Sequence, residues 1–183
     1  MEHINQENPM PDPKNLEAAQ PKLGSDIWDH HCRIVDFKLD EQHFVKRSHE
    51  VEHERAVALG DLLDMNRFKP LGDFKGPYKV SLGIQDNRRL IFDINAEDDA
   101  PLTSINLPLS PFRGLIRDYF QICESYYDAV KKLSPAQIET IDMARRGLHN
   151  DGADLLKDIL KDKILIDKAT SRRLFTLVCV LHI

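Results

Sequence analysis

The sequence predicts an α+β fold, with a small antiparallel sheet of three to four strands packed against a helix-rich C-terminal half. Apolar and polar residues alternate over 78–94 around the turn residues 85–88, a pattern typical of a β-hairpin. Two amphipathic segments follow in 110–150, and each opens with a Ser-Pro start signal. The last segment, 174–181, is apolar on nearly every side and predicts a buried helix.

The chain of 183 residues is long enough for one domain with a tail, and its 42% hydrophobic and 30% charged residues are ordinary for a globular protein. Residues 1–25 combine four prolines with few large apolar side chains, so we expect a disordered tail. Residues 26–183 are predicted to form a single α+β domain.

The predicted domain begins with a strand and a helix. Loose alternation over 31–39 predicts the strand. Ser48 is a good N-cap, and the helix dipole stabilises the glutamates in the following turn. A helix is therefore expected from there to about Phe68. After the hairpin, residues 105–108 predict one more short strand, ended by its proline.

The C-terminal half is predicted to be helical. Ser110, followed by proline, is expected to cap the first of these helices, and residues 134–137 form a capping box for the second. Residues 150–152 contain the helix-ending pair Asp-Gly, so we expect the second helix to end there and another to run through Lys161. The last helix has two candidate N-caps, Asp167 and Thr170.

Charge and cysteine usage exclude several classes of function. A net charge of −5, with basic residues only in scattered doublets, argues against general nucleic-acid binding. The longest uncharged apolar stretch, 174–183, is about half the ~20 residues that a membrane span requires, and the N-terminus lacks a secretory signal. Three cysteines without a CxxC spacing do not suggest a disulfide scaffold, and Cys123 and Cys179 are expected to be buried thiols. We therefore expect a cytoplasmic protein with no membrane segment.

Two short motifs match known signatures without the context that those signatures need. Residues 29–32 spell DHHC, the signature of membrane-embedded acyltransferases, but the additional cysteines and the membrane spans of that family are missing. Residues 49–53 spell HExxH on a predicted helix, but their neighbours are charged and no third ligand follows at the usual spacing. Ser48 would also place His49 in the frayed first turn of the helix, which is a poor place for a metal ligand. We therefore expect no metal and no cofactor.

The best candidate for ligand binding is a polar sector of the second C-terminal helix. Helical spacing brings together two guanidinium groups, an imidazole and an amide that would suit a phosphate or carboxylate. Two structural alternatives remain open, a surface ion pair within the sector or an arginine that reaches Glu124 or Asp128. Glu52 and His53 form a possible secondary acid–base cluster. The residues of the sector are Asp142, Arg145, Arg146, His149 and Asn150.

Five longer strings give the chain a resemblance to a bacterial uncharacterised protein family, number 0262 in its series. The resemblance covers about Cys32 to His182 and implies no established activity and no catalytic residues. The strings are VEHERAVALGDLL (51–63), GPYKVSLGIQDNRRLIFDI (76–94), SPFRGLIRDYFQICESYYDAV (110–130), IDMARRGLHNDGADLL (141–156) and RRLFTLVCVLH (172–182).

Two hypotheses of function follow from the residues. The first is a non-enzymatic, partner-binding or regulatory protein, with the sheet or an aromatic helical face as its interface to a protein partner or a second copy. The second is a small enzyme or ligand-binding module that holds an anionic metabolite through the Arg/His sector. The first is favoured because the sequence contains no complete catalytic constellation. The aromatic face consists of Tyr119, Phe120, Tyr126 and Tyr127.

Overall fold

A computed structural model describes residues 28–40 and 48–182, so the predicted N-terminal tail lies outside the described residues. The fold is α+β, as the sequence predicts. None of the helices in the described part of the chain is both long enough and apolar enough to cross a membrane. In chain order the elements are β1 (Ile34–Asp40), α1 (His49–Asp64), β2 (Phe68–Pro70), β3 (Tyr78–Gln85), β4 (Arg89–Ala96), β5 (Pro101–Pro108), α2 (Arg113–Lys132), α3 (Pro135–Leu160), β6 (Ile164–Ile166) and α4 (Lys168–His182).

The main sheet has four strands in the order β1-β3-β4-β5. The β3–β4 and β4–β5 pairs are antiparallel, but β1 pairs with β3 in parallel, with Leu39 opposite Leu82. The predicted sheet of three to four strands is therefore confirmed as a mostly antiparallel sheet, and the sequence did not indicate the one parallel pair at its edge. The chain leaves β1 and crosses through α1 before it returns as β3, and such a crossover is what parallel neighbours require.

The predicted β-hairpin is confirmed as β3 and β4. Gln85 pairs with Arg89 across its end, and the Arg88 N–H donates to the Gln85 carbonyl at 3.0 Å. Asp86 and Asn87 have φ values of 52° and 51°, which places both in the left-handed region. Asp and Asn tolerate that region better than most residues and are favoured in tight hairpin turns.

Helix α4 is the most buried of the helices in the described chain. Leu174, Phe175, Leu177 and Val178 have no exposed surface. The helix contacts strand β3, helix α1 and helix α3, while α2 packs against α3. The prediction of a buried last helix is confirmed, and its N-cap is Asp167, whose carboxylate accepts the Thr170 N–H at 2.8 Å.

A second, two-stranded sheet escapes prediction from the sequence. Strands β2 and β6 pair in antiparallel fashion, with Phe68 opposite Ile166. Helix α1 accordingly ends at Asp64, and the prediction that it reaches Phe68 is wrong. Strands of three residues are too short to show alternation, so only the tertiary pairing of two distant segments defines them.

The helix starts are predicted with mixed success. Ser48 caps α1 by accepting the Val51 N–H at 3.3 Å, and Ser134 with Gln137 forms the predicted capping box of α3. Ser110 does not cap α2. It lies in a short 3₁₀ turn over Ser110–Phe112, and α2 begins after that turn without a side-chain cap.

Helix α3 continues through the point where the sequence predicts its end. It runs unbroken for 26 residues, so the predicted break at 150–152 is wrong. Gly152 is buried against α4, and a Cβ atom added there would lie 2.1 Å from Cζ of Phe175. The glycine therefore allows two helices to approach closely, and it does not end the helix.

We expect Gly152→Ala to destabilise the protein by about 2 kcal/mol, because the added methyl group overpacks a core in which Phe175 has no exposed surface. Gly147 in the same helix is the matched control, since an added Cβ there has no atom within 4 Å. Gly147→Ala should be neutral or stabilising by up to about 1 kcal/mol, because alanine is the better helix former. Urea unfolding curves measure both, and equal midpoints for the two variants would contradict this assignment.

Candidate functional site

A pocket of about 400 Å³ lies among helices α1, α2 and α4. Its lining is mainly apolar and includes part of the predicted aromatic face. Tyr119, Phe120 and Tyr127 line it from α2, whereas Tyr126 does not. Such a concave, largely apolar site with a few convergent polar groups is the usual form of a binding site for a ligand or a partner side chain.

The carboxylate of Glu54 is held inside this pocket by two phenols. The hydroxyl groups of Tyr119 and Tyr127 each donate to Glu54 at 3.3 Å. Burial and then the negative charge of Glu54 raise the pKa of Tyr127 to about 12, and burial also raises the pKa of Tyr119. Both phenols therefore keep their protons at neutral pH, and they fix the position of a negative charge on α1.

Three further carboxylates stand at the mouth of the pocket. Glu50 projects from α1, and Glu124 and Asp128 project from α2, all with exposed side chains. Backbone and Ser48 hydrogen bonds at the start of α1 hold the pKa of Glu50 below its usual value. Together with Glu54, these groups give the pocket an apolar interior and an anionic entrance.

Two thiols line the same pocket. Cys123 and Cys179 are both buried, as predicted, with exposed fractions of 8% and 1%. Burial is the main cause that raises the pKa of Cys123 to about 11, and the nearby charge of Glu54 adds to it. Burial likewise raises the pKa of Cys179. Because the thiolate is the nucleophile, both groups are unreactive at neutral pH.

The predicted polar sector of α3 forms an internal ion-pair network. The carboxylate of Asp142 accepts from Arg145 at 2.8 Å and also pairs with Arg146. These two guanidinium groups hold the pKa of Asp142 below its usual value. The Arg145 guanidinium also lies 5.2 Å from the centre of the Tyr126 ring, a cation–π contact.

The other members of the sector point elsewhere. The Nε2 atom of His149 lies 2.8 Å from Oγ1 of Thr176 on α4. Because the Thr176 hydroxyl donates to the Arg172 carbonyl at 3.2 Å, its oxygen is left to accept, so the neutral imidazole carries its hydrogen on Nε2. Burial and then the charges of Arg172 and Arg145 lower the pKa of His149 to about 4. The buried side-chain oxygen of Asn150 has no hydrogen-bond partner among the described residues.

The five residues of the sector do not share the lining of the first pocket or of a second pocket next to it. Asp142, Arg145 and Arg146 bind one another, while His149 lines a second pocket of about 360 Å³ between α1, α3 and α4. Glu52 and His53 are exposed on α1, and neither lines the two pockets. Their roles in binding stay predictions.

The DHHC string lies apart from both pockets, whereas the HExxH string contributes Glu50 and Val51 to the lining of the first pocket. Asp29, His30 and His31 have possible ligand atoms within 4.8 Å of one another on an exposed turn. A local cause accounts for this cluster, because Asp29 accepts the His31 N–H and pairs with the His30 ring. Within residues 28–40 and 48–182, the histidines of the HExxH string do not belong to a group of three possible metal ligands.

Sequence reasoning missed Glu54, Arg172 and Arg173 as pocket residues. Helical spacing contains a signal for the first of them, because Glu54 lies three residues after Val51 and four before the buried Ala58. A carboxylate within an apolar stripe is either satisfied by partners or part of a site. The two arginines carry no comparable signal, since their pocket is formed by three helices that are distant in sequence.

Comparison with known proteins identifies the family. The model of an uncharacterised protein family (UPF0262) matches residues 31–183, so the chain belongs to that family. It is 54% identical over 154 residues to a UPF0262 protein of Paramagnetospirillum magneticum, covering 84% of this chain and 98% of that protein. A relative from Rhodospirillum rubrum is 54% identical over 149 residues, with 81% and 91% covered. A third, from a Jannaschia species, is 53% identical over 155 residues, with 84% and 97% covered. No solved structure matches the chain.

The half-buried His149 should make the stability of the protein depend on pH. Its folded pKa of about 4 lies below the ordinary value of 6.5, so the unfolded chain binds the proton first as the pH falls. The contribution of His149 to the free energy of unfolding is therefore complete above pH 6.5 and decreases by up to roughly 3 kcal/mol as the pH falls to 4.

Urea unfolding at a series of pH values between 4 and 7.5 measures this dependence. The variant His149→Gln retains an N–H donor for Thr176 but cannot titrate, so its stability should fall less steeply over the same window. Identical slopes for the two proteins would show that His149 titrates normally in the folded state.

The raised pKa of Cys123 should make this thiol slow to alkylate. At pH 8 a pKa near 11 leaves far less thiolate than in a free cysteine, so iodoacetamide should react with the folded protein at least about tenfold more slowly than with a model peptide. Mass spectrometry of the Cys123 peptide gives the rate, and the urea-unfolded chain is the control. A native rate equal to the unfolded rate would contradict a protonated, buried thiol.

Proposed function

We propose that this UPF0262 protein is a partner-binding protein whose pocket among α1, α2 and α4 receives an apolar side chain of a protein partner. The residues beside that apolar side chain in the partner are expected to be lysine or arginine. The single observation that carries the proposal is the combination of an apolar interior with four carboxylates, Glu50, Glu54, Glu124 and Asp128.

The shape and lining of the pocket support insertion of an apolar anchor. A volume of about 400 Å³ is sufficient for a large aliphatic or aromatic side chain. Partner surfaces gain most of their binding energy from a few such anchors, and aromatic residues are enriched at these places. Phe120 and Tyr127 are half-buried at this site, so they offer apolar surface that a partner can cover.

The charges of the pocket support a basic partner. Opposite charge around an interface speeds encounter and excludes partners of like charge. Glu54 lies deeper than the other three carboxylates and already has two phenol donors, so a cation at the entrance gains most from Glu50, Glu124 and Asp128. Acidic partners are disfavoured by the same groups.

The chemistry of the lining favours binding over catalysis. Its two thiols and its two tyrosines have raised pKa values, which keeps them protonated and weakly nucleophilic. We place the encounter in the cytoplasm, which agrees with the three free cysteines of the described chain.

The alternative is an enzyme or ligand-binding module that holds an anionic metabolite at the α3 sector. It has less support there, because Asp142 already neutralises Arg145 and Arg146 in part. An anionic ligand at that place would have to compete with a fixed carboxylate.

Site-specific photo-crosslinking in a bacterium that expresses the protein tests the proposal. A photoreactive amino acid at Phe120 should crosslink to one protein partner, at a segment with apolar residues next to lysine or arginine. The same amino acid at Met143, an exposed apolar residue on α3 with 65% of its surface exposed, is the control and should give no such product.

A charge-matched pair of variants tests the electrostatic part. Glu124→Gln with Asp128→Asn removes two charges at the pocket, whereas Glu97→Gln with Asp98→Asn removes two on the exposed loop after β4. The first pair should reduce the crosslink at Phe120 at least about fivefold, and the second should leave it unchanged. A crosslink that is absent, insensitive to the first pair, or mapped to an acidic segment would overturn the proposal. A crosslink to a second copy of the chain would show that the partner is another molecule of the same protein, which forms a homodimer.

A further inference from the structure

We infer that the second pocket, between α1, α3 and α4, binds the oxyanion group of a small metabolite, a carboxylate or a phosphate. The pocket has a volume of about 360 Å³. This inference is independent of the proposed partner site, since it concerns different charged residues. The lining consists of Asp61, His149, Ala169, Arg172, Arg173 and Thr176.

Arg172 is the main donor of the site. The residue is half-buried, and within residues 28–40 and 48–182 its guanidinium makes no hydrogen bond or ion pair. A half-buried arginine without an ion-pair partner leaves its guanidinium available to an anion, and pairing of a charge offsets the cost of its burial. The planar fork of Arg172 is suited to two parallel hydrogen bonds to an oxyanion.

Arg173 supplies a second guanidinium that is already fixed in place. One of its terminal nitrogens donates to the backbone carbonyl of Met65 at 3.0 Å, just after the end of α1. That contact uses one of five N–H donors, so the others remain for a ligand. A fixed donor loses little conformational entropy when it binds, which favours affinity.

His149 and Thr176 form an ordered polar wall beside the arginines. Their hydrogen bond of 2.8 Å fixes the imidazole, and the Tyr119 ring, 5.4 Å away between ring centres, packs against it. The hydrogens of this wall are already used within the protein, since His149 donates to Thr176 and Thr176 donates to the Arg172 carbonyl, so the wall shapes the pocket and the two guanidinium groups supply the donors for an oxyanion.

The charges of the pocket limit which oxyanion fits. Two arginines and the single carboxylate of Asp61 leave one net positive charge when His149 is neutral. A singly charged group, such as a carboxylate, is balanced by that charge, whereas a dianionic phosphate leaves an excess of negative charge. The structure therefore favours a carboxylate over a phosphate dianion.

The α3 sector provides an internal comparison. Arg146 has the same charge as Arg172 and lies on a neighbouring helix, but it is paired with Asp142. If the availability of the guanidinium decides binding, then loss of Arg172 should abolish oxyanion binding and loss of Arg146 should not.

NMR titration of the full-length protein tests the inference. Sodium acetate and inorganic phosphate are the two probes, each compared with sodium chloride at equal ionic strength, and the readouts are the arginine Nε–Hε and His149 imidazole signals. We expect saturable shifts of the Arg172 and His149 signals with acetate, and weaker binding of phosphate at pH 8. Arg172→Gln should weaken the binding at least about tenfold, while Arg146→Gln should leave it unchanged.

Circular dichroism verifies that the variants fold. Arg172→Lys gives a second test, because lysine keeps the positive charge but lacks the planar guanidinium group. Its affinity should lie between those of the wild type and Arg172→Gln. Tighter binding of phosphate than of acetate would support the oxyanion site but contradict the preference for a carboxylate. Shifts no larger than those caused by chloride, or a loss caused by Arg146→Gln instead of Arg172→Gln, would overturn the inference.

Discussion

The burial of α4 is the constraint on which the described structure depends. Its apolar side chains extend around nearly the whole helix, so no single neighbour can remove them from water. Strand β3, α1 and α3 each cover part of it, and the close approach of α3 is possible because Gly152 has no side chain opposite Phe175. Together these three elements remove most of the apolar surface of α4 from water.

The two pockets lie where this covering is incomplete. Thr176 lines both, and it is one of the few polar positions on the buried part of α4. On one side of it the gap is closed by aromatic groups and rimmed by carboxylates, and on the other side it is lined by two arginines. Opposite charges therefore stand at neighbouring openings along a single helix, so each proposed site has its own electrostatic character.

Local signals in the sequence predict much of the fold. The hairpin depends on alternation and on Asp86 and Asn87, and the capped starts of α1 and α3 depend on Ser48 and Ser134, all within a few residues of the feature that they determine. The parallel β1–β3 pair, the β2–β6 sheet and the unbroken α3 depend on contacts between segments far apart in sequence. Local pattern carries no information on such contacts, and a buried glycine is easily mistaken for a helix end.

The difference between local signals and contacts of distant segments also applies to the candidate site. An aromatic face on α2 could be predicted, since its residues share one helix, and three of its four members line the first pocket. The α3 sector also shares one helix, but the sequence could not decide between a ligand and internal ion pairs because both need the same spacing. The pairing of His149 with Thr176 joins two helices, and only the fold brings them together.

Strand β5 begins and ends with a proline, Pro101 and Pro108, and this affects the association between chains. This strand forms one edge of the main sheet, where unpaired backbone groups could recruit a strand from another molecule and begin aggregation. Proline has no backbone N–H to donate, so both ends of the edge are shortened as templates for further pairing. This edge of the sheet is thereby less suited to the nonspecific addition of a strand from another molecule.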